Sequence, residues 1–458
     1  MVQIPFGMND WQSEERDIGR IKLRNMYIAE NPLAPEGVSR LSRPSLDTFK
    51  NIGSGPIKGM WKQDGSFGGD WFVVSGQELY LVDDVDGDAV LLGNIPGTGF
   101  CEFAGNEDKV VIVRDLFAYA YDGALAVIAM PDDQPVQTVS QIDGSFLIGI
   151  ADTFRFYWML PGESSPDPLN FASAERLPDP ITAIRVLSDE IWLIGSDSVE
   201  VWQQTGDLDA PYTRIAGRSY TDGCVDRDTV ASSNYNSFPC LLWVTNNKEV
   251  VLAQGQPNKI SNESVEETLR NATNLRAWAF RRNRSDFYVI TFDEGTLVFN
   301  ISTPSWSRWD SFGQVYFRGH QGLMDGSKAF AGDSETGNLY RLGQKAEDFG
   351  TDPIVSQMSG FVQWPGKQQP CYSVNISTNF GWAPSYDSPD QVIELKWSDD
   401  YGFTWSEPYQ LSMGDKGRYD TDISFRSLGL IKRPGRLFEI SYTGLQNFRI
   451  DYATINEV

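Results

Sequence analysis

A shape that recurs through the middle of the sequence constrains the fold more than any other feature. Each copy has a run of apolar residues, a short turn rich in Gly, Asn or Asp, and a second strand-like run. Val, Ile, Phe, Tyr and Trp around such a turn are typical of a half-buried β-hairpin. The copies are WFVVSGQELYLV (71–82), VVIVRDLFAYAY (110–121), FLIGIADTFRFYW (146–158), IWLIGSDSVEVW (191–202), LLWVTNNKEVVLA (241–253), FYVITFDEGTLVF (287–299) and AFAGDSETGNLYRL (329–342).

The spacing of these hairpins indicates a ring architecture. Successive copies begin roughly 35–50 residues apart, as the blades of a β-propeller do. A single four-stranded blade cannot bury both of its faces, and packing blades in a ring solves that problem. We therefore expect an all-β protein with a β-propeller of about seven blades. Six or eight blades stay open, because the sequence does not show how the ring closes.

Two segments lie outside the repeat. Residues 1–55 read as an N-terminal arm with a possible blade-closing strand, and residues 56–345 as the β-propeller. Residues 346–458 contain further strand-like runs and predict a C-terminal antiparallel β-domain. The one predicted helix lies within 261–273, with Ser261 as its N-cap and acidic residues in its first turns.

Charge limits the classes of partner. The chain has 38 Lys and Arg against 62 Asp and Glu, a formal net charge of −24. Such a surface repels phosphate, so we expect double-stranded DNA to pass without specific binding. No run approaches the roughly 18 apolar residues of a spanning helix, so no membrane span is expected. The first residues do not resemble a signal peptide, and we expect assembly in a cytoplasm.

Cysteine and histidine usage argues against redox, metal and triad chemistry. Four widely spaced cysteines lack any Cys-x-x-Cys motif, so reduced, buried thiols are expected. His320 is the sole histidine, and a Ser-His-Asp triad or Cys-His pair would have to use it. We predict a loop or core position for His320, no cofactor, no metal and no enzymatic activity. Paired carboxylates that hydrolyse a glycoside stay the alternative, although no pair stands out.

An Asp-box pattern lies near the C-terminus. The stretch SDDYGFTW is found on β-hairpins of sialidases and other β proteins. We interpret it as a turn in which Asp400 accepts backbone hydrogen bonds, Gly402 adopts a positive φ and Trp405 packs beneath. A single box outside the repeat does not indicate an active site. The predicted structural turn comprises Ser398, Asp400, Gly402, Thr404 and Trp405.

The acidic stretch DDVDGDA (83–89) could suggest calcium binding through Asp84, Asp86 and Asp88. An EF-hand loop needs a Gly after the third acid and a distal Glu. Ala89 and Ile95 occupy those positions. A solvated turn is therefore the favoured interpretation.

Two basic clusters stand out in this acidic chain. They lie in RRNR (281–284) and in FRSLGLIKRPGRLFEI (425–440). Each is either a solvated edge or a docking point for an acidic partner, which would offset self-repulsion on oligomerisation. The candidate interface residues are Arg281, Arg282, Arg284, Arg426, Lys432, Arg433 and Arg436.

Three blocks in order resemble a known family: NMYIAE…LSRPSL, then IWLIGSDSVEVWQQTGD with GRSYTDGCVDRDTV, then LKWSDDYGFTWSEP…FRSLGLIKRPGRLFEISYTG. The sequence resembles the packaged-DNA-stabilisation, or tail nozzle, proteins of short-tailed bacteriophages over nearly its whole length. In the last block, Arg426, Gly429, Arg433 and Arg436 precede the final strand pair. The Asp-box tryptophan is not a feature of the whole family and adds no activity.

The resemblance implies a virion structural protein of the phage tail. It implies a homo-hexameric ring below the portal and its adaptor protein that retains packaged DNA and conducts it during ejection. It also implies attachment of tail fibre, spike or needle proteins. The alternatives are a monomeric β-propeller scaffold for protein binding and a carbohydrate-active propeller enzyme. A scaffold differs from a nozzle mainly in symmetry, because a nozzle needs a closed ring.

Overall fold

The computed structural model describes residues 2–11, 21–83, 85–207, 210–364, 366–378, 391–413, 423–444 and 448–456. The chain divides into two compact units. Unit 1 contains residues 1–48, 283–317 and 341–458, and unit 2 contains residues 49–282 and 318–340. With 55% strand and 4% helix, the predicted all-β class is confirmed.

Unit 2 consists of antiparallel four-stranded sheets, the blades. Their strands follow one another in chain order, so each blade is two successive hairpins. The first five blades are as follows: Ile57–Trp61, Trp71–Ser75, Glu78–Val82 and Ala89–Asn94; Glu102–Gly105, Val110–Arg114, Phe117–Tyr121 and Leu125–Val127; Val136–Ile142, Ser145–Ile150, Arg155–Met159 and Phe171–Ser173; Ile181–Leu187, Glu190–Gly195, Val199–Gln204 and Tyr212–Tyr220; Ala231–Tyr235, Phe238–Val244, Val250–Ala253 and Pro257–Lys259.

Two further repeats complete the series. The sixth contributes its inner strand Arg276–Arg282 to unit 2. In the seventh, the strand order is Gly319–Asp325, Lys328–Asp333, Asn338–Gly343 and Ser45–Asn51. The N-terminal strand therefore supplies the fourth position of this sheet, and within unit 2 Asn51 Nδ2 donates to Asn338 Oδ1 at 2.8 Å.

The inner strands of the repeats form a closed ring. Each packs against the sheet that follows it, and Gly319–Asp325 packs in turn against Ile57–Trp61. Among the described residues the ring has seven inner strands, one from each repeat, which confirms the predicted number of blades. These strands are Ile57–Trp61, Glu102–Gly105, Val136–Ile142, Ile181–Leu187, Ala231–Tyr235, Arg276–Arg282 and Gly319–Asp325.

Local sequence explains the blades. Tight two-residue turns connect the strands: Asp115 and Leu116 both have positive φ (45° and 71°) and join the paired residues Arg114 and Phe117. Positive φ at both central positions is the backbone of a type I′ hairpin turn. Apolar side chains then fill the space between successive blades, as where Phe72 of the first blade and Ile112 of the second share one buried cluster.

The predicted helix is present but begins elsewhere. It runs over Glu263–Arg270, and its N-cap is Asn262, whose Oδ1 accepts from the Val265 amide at 3.0 Å. The prediction of Ser261 as N-cap was therefore wrong by one residue. The Ser261 hydroxyl is engaged instead with Glu266 Oε1 at 2.8 Å, and it accepts from the Val250 amide.

The described residues of unit 1 form strands of two larger sheets and of two small ones. The first sheet includes, in order, Ser285–Phe292, Gly295–Asn300, Ser305–Arg308, Leu23–Arg24, Ser356–Gln363, Gly435–Thr443, Val392–Ser398 and Tyr409–Ser412. The second has the order Met26–Glu30, Val38–Ser42, Arg449–Ile455, Ser373–Thr378 and Ile423–Arg426, with Val2–Gln3 also paired to Arg449–Ile455. The small sheets pair Glu347–Asp348 with Asp352–Pro353 and Gln369–Pro370 with Leu430–Ile431.

The two larger sheets share one buried core. Alternate residues of the strands face it, as with Ile393 and Leu395 from the first sheet and Val374 and Ile376 from the second. This period of two is what an antiparallel sheet with one solvated face requires. The predicted C-terminal antiparallel β-domain is thus present.

The units are discontinuous in sequence, whereas the predicted segments 1–55, 56–345 and 346–458 are continuous. The arm does not stand alone: Arg40 and Leu41 pair with Ile450 and Arg449. Leu23 pairs with Met358. Pairings between strands so far apart in the sequence leave no local signal, because each strand alone is compatible with many partners.

Candidate functional site

The Asp-box turn connects Val392–Ser398 and Tyr409–Ser412 in unit 1 and is built by its own side chains. The Ser398 hydroxyl donates to Asp400 Oδ1 at 2.7 Å and accepts from the Gly402 amide at 2.8 Å. Asp400 Oδ1 accepts from the Thr404 amide at 2.8 Å, and Oδ2 accepts from the Thr404 hydroxyl at 2.6 Å. Gly402 has a φ of +96°, which a side chain would strain.

The chemistry of Asp400 is that of a turn. Hydrogen bonds from the Thr404 hydroxyl and amide lower the pKa of the Asp400 carboxyl to about 2. Trp405 donates from Nε1 to the Gly402 carbonyl at 3.0 Å. A carboxylate held ionised by its own loop is a poor proton donor or acceptor near neutral pH. The arrangement therefore stabilises the hairpin.

Arg436 joins the Asp-box turn to the neighbouring segment. Its Nε and Nη2 donate to the two carboxylate oxygens of Asp399 at 2.6 and 2.8 Å. The same guanidinium donates to the carbonyls of Leu428 and Leu430, and its carbon lies 5.3 Å from the Trp397 ring centroid. Arg436 is only 2% exposed. Its inclusion among the interface residues was wrong, because a buried guanidinium bonded on every side cannot contact a partner.

The remaining cations of the second basic cluster lie on the surface above Arg436. Arg426, Lys432 and Arg433 are exposed. The structure adds residues that the cluster's sequence did not include, because segment 366–373 runs beside segment 426–434. We call the exposed set the basic patch; it comprises Lys367, Tyr372, Arg426, Leu430, Lys432 and Arg433.

The first basic cluster lies at a hairpin turn. Arg281 and Arg282 end the inner strand of the sixth repeat. Asn283 and Arg284 follow with positive φ values of 48° and 70°. Arg281 and Arg284 are exposed, and Arg282 is partly buried. The role of Arg281, Arg282 and Arg284 as an interface stays a prediction.

The acidic loop of the first blade is organised by hydrogen bonds. Asp83 Oδ1 accepts from the amides of Val85 and Asp86 at 2.8 and 2.9 Å, which lowers the pKa of the Asp83 carboxyl. Lys50 Nζ lies 2.8 Å from Asp88 Oδ1. Asp84 lies outside the described residues, and the solvated turn favoured over calcium binding by Asp84, Asp86 and Asp88 stays a prediction.

The sole histidine belongs to the centre of unit 2. His320 is buried on an inner strand, and its Nε2 donates to the Ile57 carbonyl at 2.5 Å. Burial first, and then the charge of Arg276, holds the pKa of His320 well below its usual value. Phe100 contacts the imidazole edge-on at 5.2 Å and lies 4.6 Å from Lys58 Nζ. His320 is thus a neutral core residue, one of the two positions predicted.

A polar network ties the inner strands together. Glu102 of the second blade accepts from the Val139 amide at 2.9 Å and from the Thr138 hydroxyl at 3.1 Å, and it pairs with Arg185 of the fourth blade. Arg227 donates to the Gln137 carbonyl at 2.5 Å. The members of this polar network are far apart in the sequence and match no motif, so no sequence signal could have predicted it.

Burial perturbs one acid beside this network, Asp228. Asp228, beside Arg227, has its pKa raised to about 6, mainly by desolvation and against the opposing effect of Arg227. A raised pKa and a cleft are common at catalytic sites, but ion-pair networks shift pKa values too. Here the charged pair of Glu102 and Arg185 links the second blade to the fourth, which is a structural task.

A cleft of about 290 Å³ lies in unit 1. Three cations line it, and each is paired with a carboxylate. Lys22 contacts Glu439 at 2.7 Å, Arg24 contacts Asp310 at 2.5 Å, and Arg308 contacts Asp10 at 2.8 Å. These pairs neutralise the cleft and leave it without an evident ligand.

Across the described ranges, no group of three or more His, Cys, Asp or Glu side chains is arranged to hold a metal ion. Within the same part of the chain, no helix has the length and apolar character needed to cross a membrane.

Solved structures are similar to this chain only at low sequence identity and low TM-score. The β-propeller domain of Cps50 (Swd1) from Myceliophteria thermophila is 9% identical, with 65% of this chain and 98% of that chain covered and a TM-score of 0.45. The extracellular domain of a putative hybrid two-component system, BT3049 from B. thetaiotaomicron, is also 9% identical, with 88% and 57% covered and a TM-score of 0.45. Likeness at this level carries no functional inference.

Sequence comparison is more informative. No curated protein matches the chain. Residues 2–347, however, match the model of the phage-stabilisation family described as "Bacteriophage P22 Gp10, beta-propeller". The match confirms the resemblance drawn from the sequence blocks, and the ring of seven inner strands agrees with the propeller in that description. The chain therefore belongs to the bacteriophage P22 Gp10 β-propeller family of structural phage tail proteins.

Proposed function

We propose that the protein is a subunit of the tail nozzle of a short-tailed phage. Six copies form a ring below the portal and its adaptor. The ring retains the packaged genome, conducts DNA during ejection and anchors tail fibres, spikes or a needle. The family match over residues 2–347 is the observation that carries this proposal.

The architecture of unit 2 supports a mechanical role. The inner strands, each the edge strand of its own sheet, pack against the following sheet in a closed ring, and apolar clusters fill the space between successive blades. The Glu102–Arg185 pair adds a polar tie between the second and fourth blades. Such a body resists deformation, as a subunit that must hold its position against internal pressure should.

The charge of the chain supports the role of a conduit. A formal net charge of −24 opposes the counterion-release attraction that drives most protein–DNA association. A channel wall that repels phosphate lets a duplex slide past without being held by contacts to its backbone. Retention of the genome then depends on closure of the tail below and not on adhesion to this wall.

The test is the mass of the native particle. The purified chain is measured by light scattering after size exclusion, alone and after co-expression with the products of the neighbouring genes. A particle of six copies, formed alone or on an added adaptor, is the expected result. A chain that stays monomeric in both experiments would contradict the nozzle and favour a monomeric scaffold.

A further inference from the structure

We propose that the basic patch of unit 1 is a subunit–subunit contact that docks on an acidic surface of a second copy of this chain. The patch consists of Lys367, Tyr372, Arg426, Leu430, Lys432 and Arg433. This inference rests on the proposed ring and names the surface by which copies adhere.

The patch is built on two chain segments held side by side. Gln369 pairs with Ile431 and Pro370 with Leu430 in a small sheet. The pairing continues at both ends: the Ser427 amide donates to the Tyr372 carbonyl at 2.9 Å, and the Trp364 amide donates to the Pro434 carbonyl at 2.9 Å. The backbone beneath the exposed side chains is therefore fixed.

Buried residues hold the patch from below. Arg436 donates to the Leu428 and Leu430 carbonyls at 2.6 and 3.0 Å. Leu428 and Ile431 are 1% and 3% exposed and belong to the core of unit 1. Side chains on a preordered backbone lose less conformational entropy when they bind, which favours association.

The local charge is opposite to that of the chain. Segments 364–373 and 426–434 contain four cations and no acid, whereas the whole chain has 62 Asp and Glu against 38 Lys and Arg. Among the described residues, no carboxylate lies within ion-pair distance of Lys367, Arg426 or Lys432. A basic surface of this kind attracts an acidic partner at long range and orients its approach.

The patch also exposes apolar groups. Tyr372 is 68% exposed and Leu430 is 44% exposed, and they belong to the same two segments as the exposed cations. Tyr and Arg are enriched in protein interfaces, where an aromatic anchor is buried and charges form the rim. Duplex DNA offers phosphates to the cations but no apolar counterpart for Leu430. The composition therefore favours a protein partner over nucleic acid.

The net charge of the chain indicates that the protein partner of the basic patch is a second copy of the same chain. Copies with a net charge of −24 repel one another, so a ring of them needs local attraction at each contact. Every copy presents abundant acidic surface, and the basic patch supplies the complementary sign. A heterologous contact, patch to acidic face, repeats around a closed ring.

The test compares charge variants of the full-length chain. One variant replaces the four patch cations by Glu (Lys367→Glu, Arg426→Glu, Lys432→Glu and Arg433→Glu). The matched control makes the same net change at exposed cations elsewhere (Arg155→Glu, Arg176→Glu, Lys328→Glu and Arg341→Glu). A third variant removes only the apolar groups (Tyr372→Ser with Leu430→Ser). Circular dichroism and melting temperature establish that each variant is folded.

Particle mass is measured across protein concentration, at low and high salt, without and with the co-expressed neighbours. The patch variant should dissociate about tenfold or more readily than wild type, and the apolar variant should show the same direction of change. The control should keep its ring. Added salt should weaken the wild-type ring, because it screens the contact.

The outcomes separate the two proposals. A wild-type chain that forms no ring under any condition would overturn the nozzle, and the patch contact with it. A wild-type ring that survives the patch variant as well as it survives the control would overturn the patch contact alone. Wild-type binding to duplex DNA that the patch variant loses while its ring stays intact would also overturn it, by assigning the patch to nucleic acid.

Discussion

At the scale of single residues, the Asp-box turn shows how side chains replace backbone pairing in a tight hairpin. Asp400 and Ser398 together accept hydrogen bonds from the amides of Thr404 and Gly402. The pattern in the sequence was sufficient to predict these roles for Asp400 and Gly402, because the motif is local. The ion pair between Asp399 and Arg436 could not be predicted, because the two residues are 37 positions apart in the sequence.

Asp400→Ala should lower the melting temperature at pH 7. The hydrogen bonds favour the ionised carboxylate and hold its folded pKa near 2, below the unfolded value. Its contribution to stability is therefore present above about pH 4 and is lost as the pH falls toward 2. The melting-temperature difference between wild type and variant should be smaller at pH 3 than at pH 7. Equal melting temperatures at pH 7 would mean that the turn does not form in this way.

Arg436→Met should destabilise unit 1 strongly. The substitution leaves the Asp399 carboxylate and two carbonyls without their donor. Loss of one partner of a buried pair costs about 3–5 kcal/mol, and the partial exposure of Asp399 reduces this to about 2–4 kcal/mol. Urea unfolding measures the change, with exposed Arg341→Met as the control, for which a change under about 0.5 kcal/mol is expected. Similar midpoints for the two variants would contradict the structural role of Arg436.

At the scale of elements, periodicity predicted the hairpins well and their assembly less well. Alternating Val, Ile and aromatic residues around Asn, Asp and Gly turns identify a hairpin because both signals are local. Ring closure is not local: the inner strand Gly319–Asp325 packs against Ile57–Trp61, from the other end of the series. For the same reason the N-terminal arm gave no sign that Val2–Gln3 pairs with Arg449–Ile455.

The inner strands depend on the polar network, so Glu102→Gln should weaken unit 2. The substitution removes the charge that pairs with Arg185 and exchanges an acceptor of the Val139 amide or Thr138 hydroxyl for a donor. Breaking such a buried arrangement should cost about 2–3 kcal/mol. Glu107→Gln, at an exposed position, is the matched control. Chemical denaturation followed by tryptophan fluorescence makes the comparison, and equal stabilities would refute a structural role for the network.

At the scale of the whole molecule, charge decides how the protein meets DNA. Because a formal net charge of −24 opposes phosphate, the wild-type chain should not retard duplex DNA at physiological salt. An electrophoretic shift assay over a range of salt concentrations measures this, with a basic DNA-binding protein as the positive control. Salt-sensitive binding in the micromolar range would contradict the non-adhesive conduit.

The most direct test of the nozzle is the rotational symmetry of the assembled particle. Electron microscopy of the protein, alone or bound to its co-expressed neighbours, gives class averages viewed along the particle axis. We predict sixfold averages with a central opening wide enough for a DNA duplex. Averages that show single, unassociated subunits under both conditions, or a closed particle with no axial opening, would contradict the nozzle.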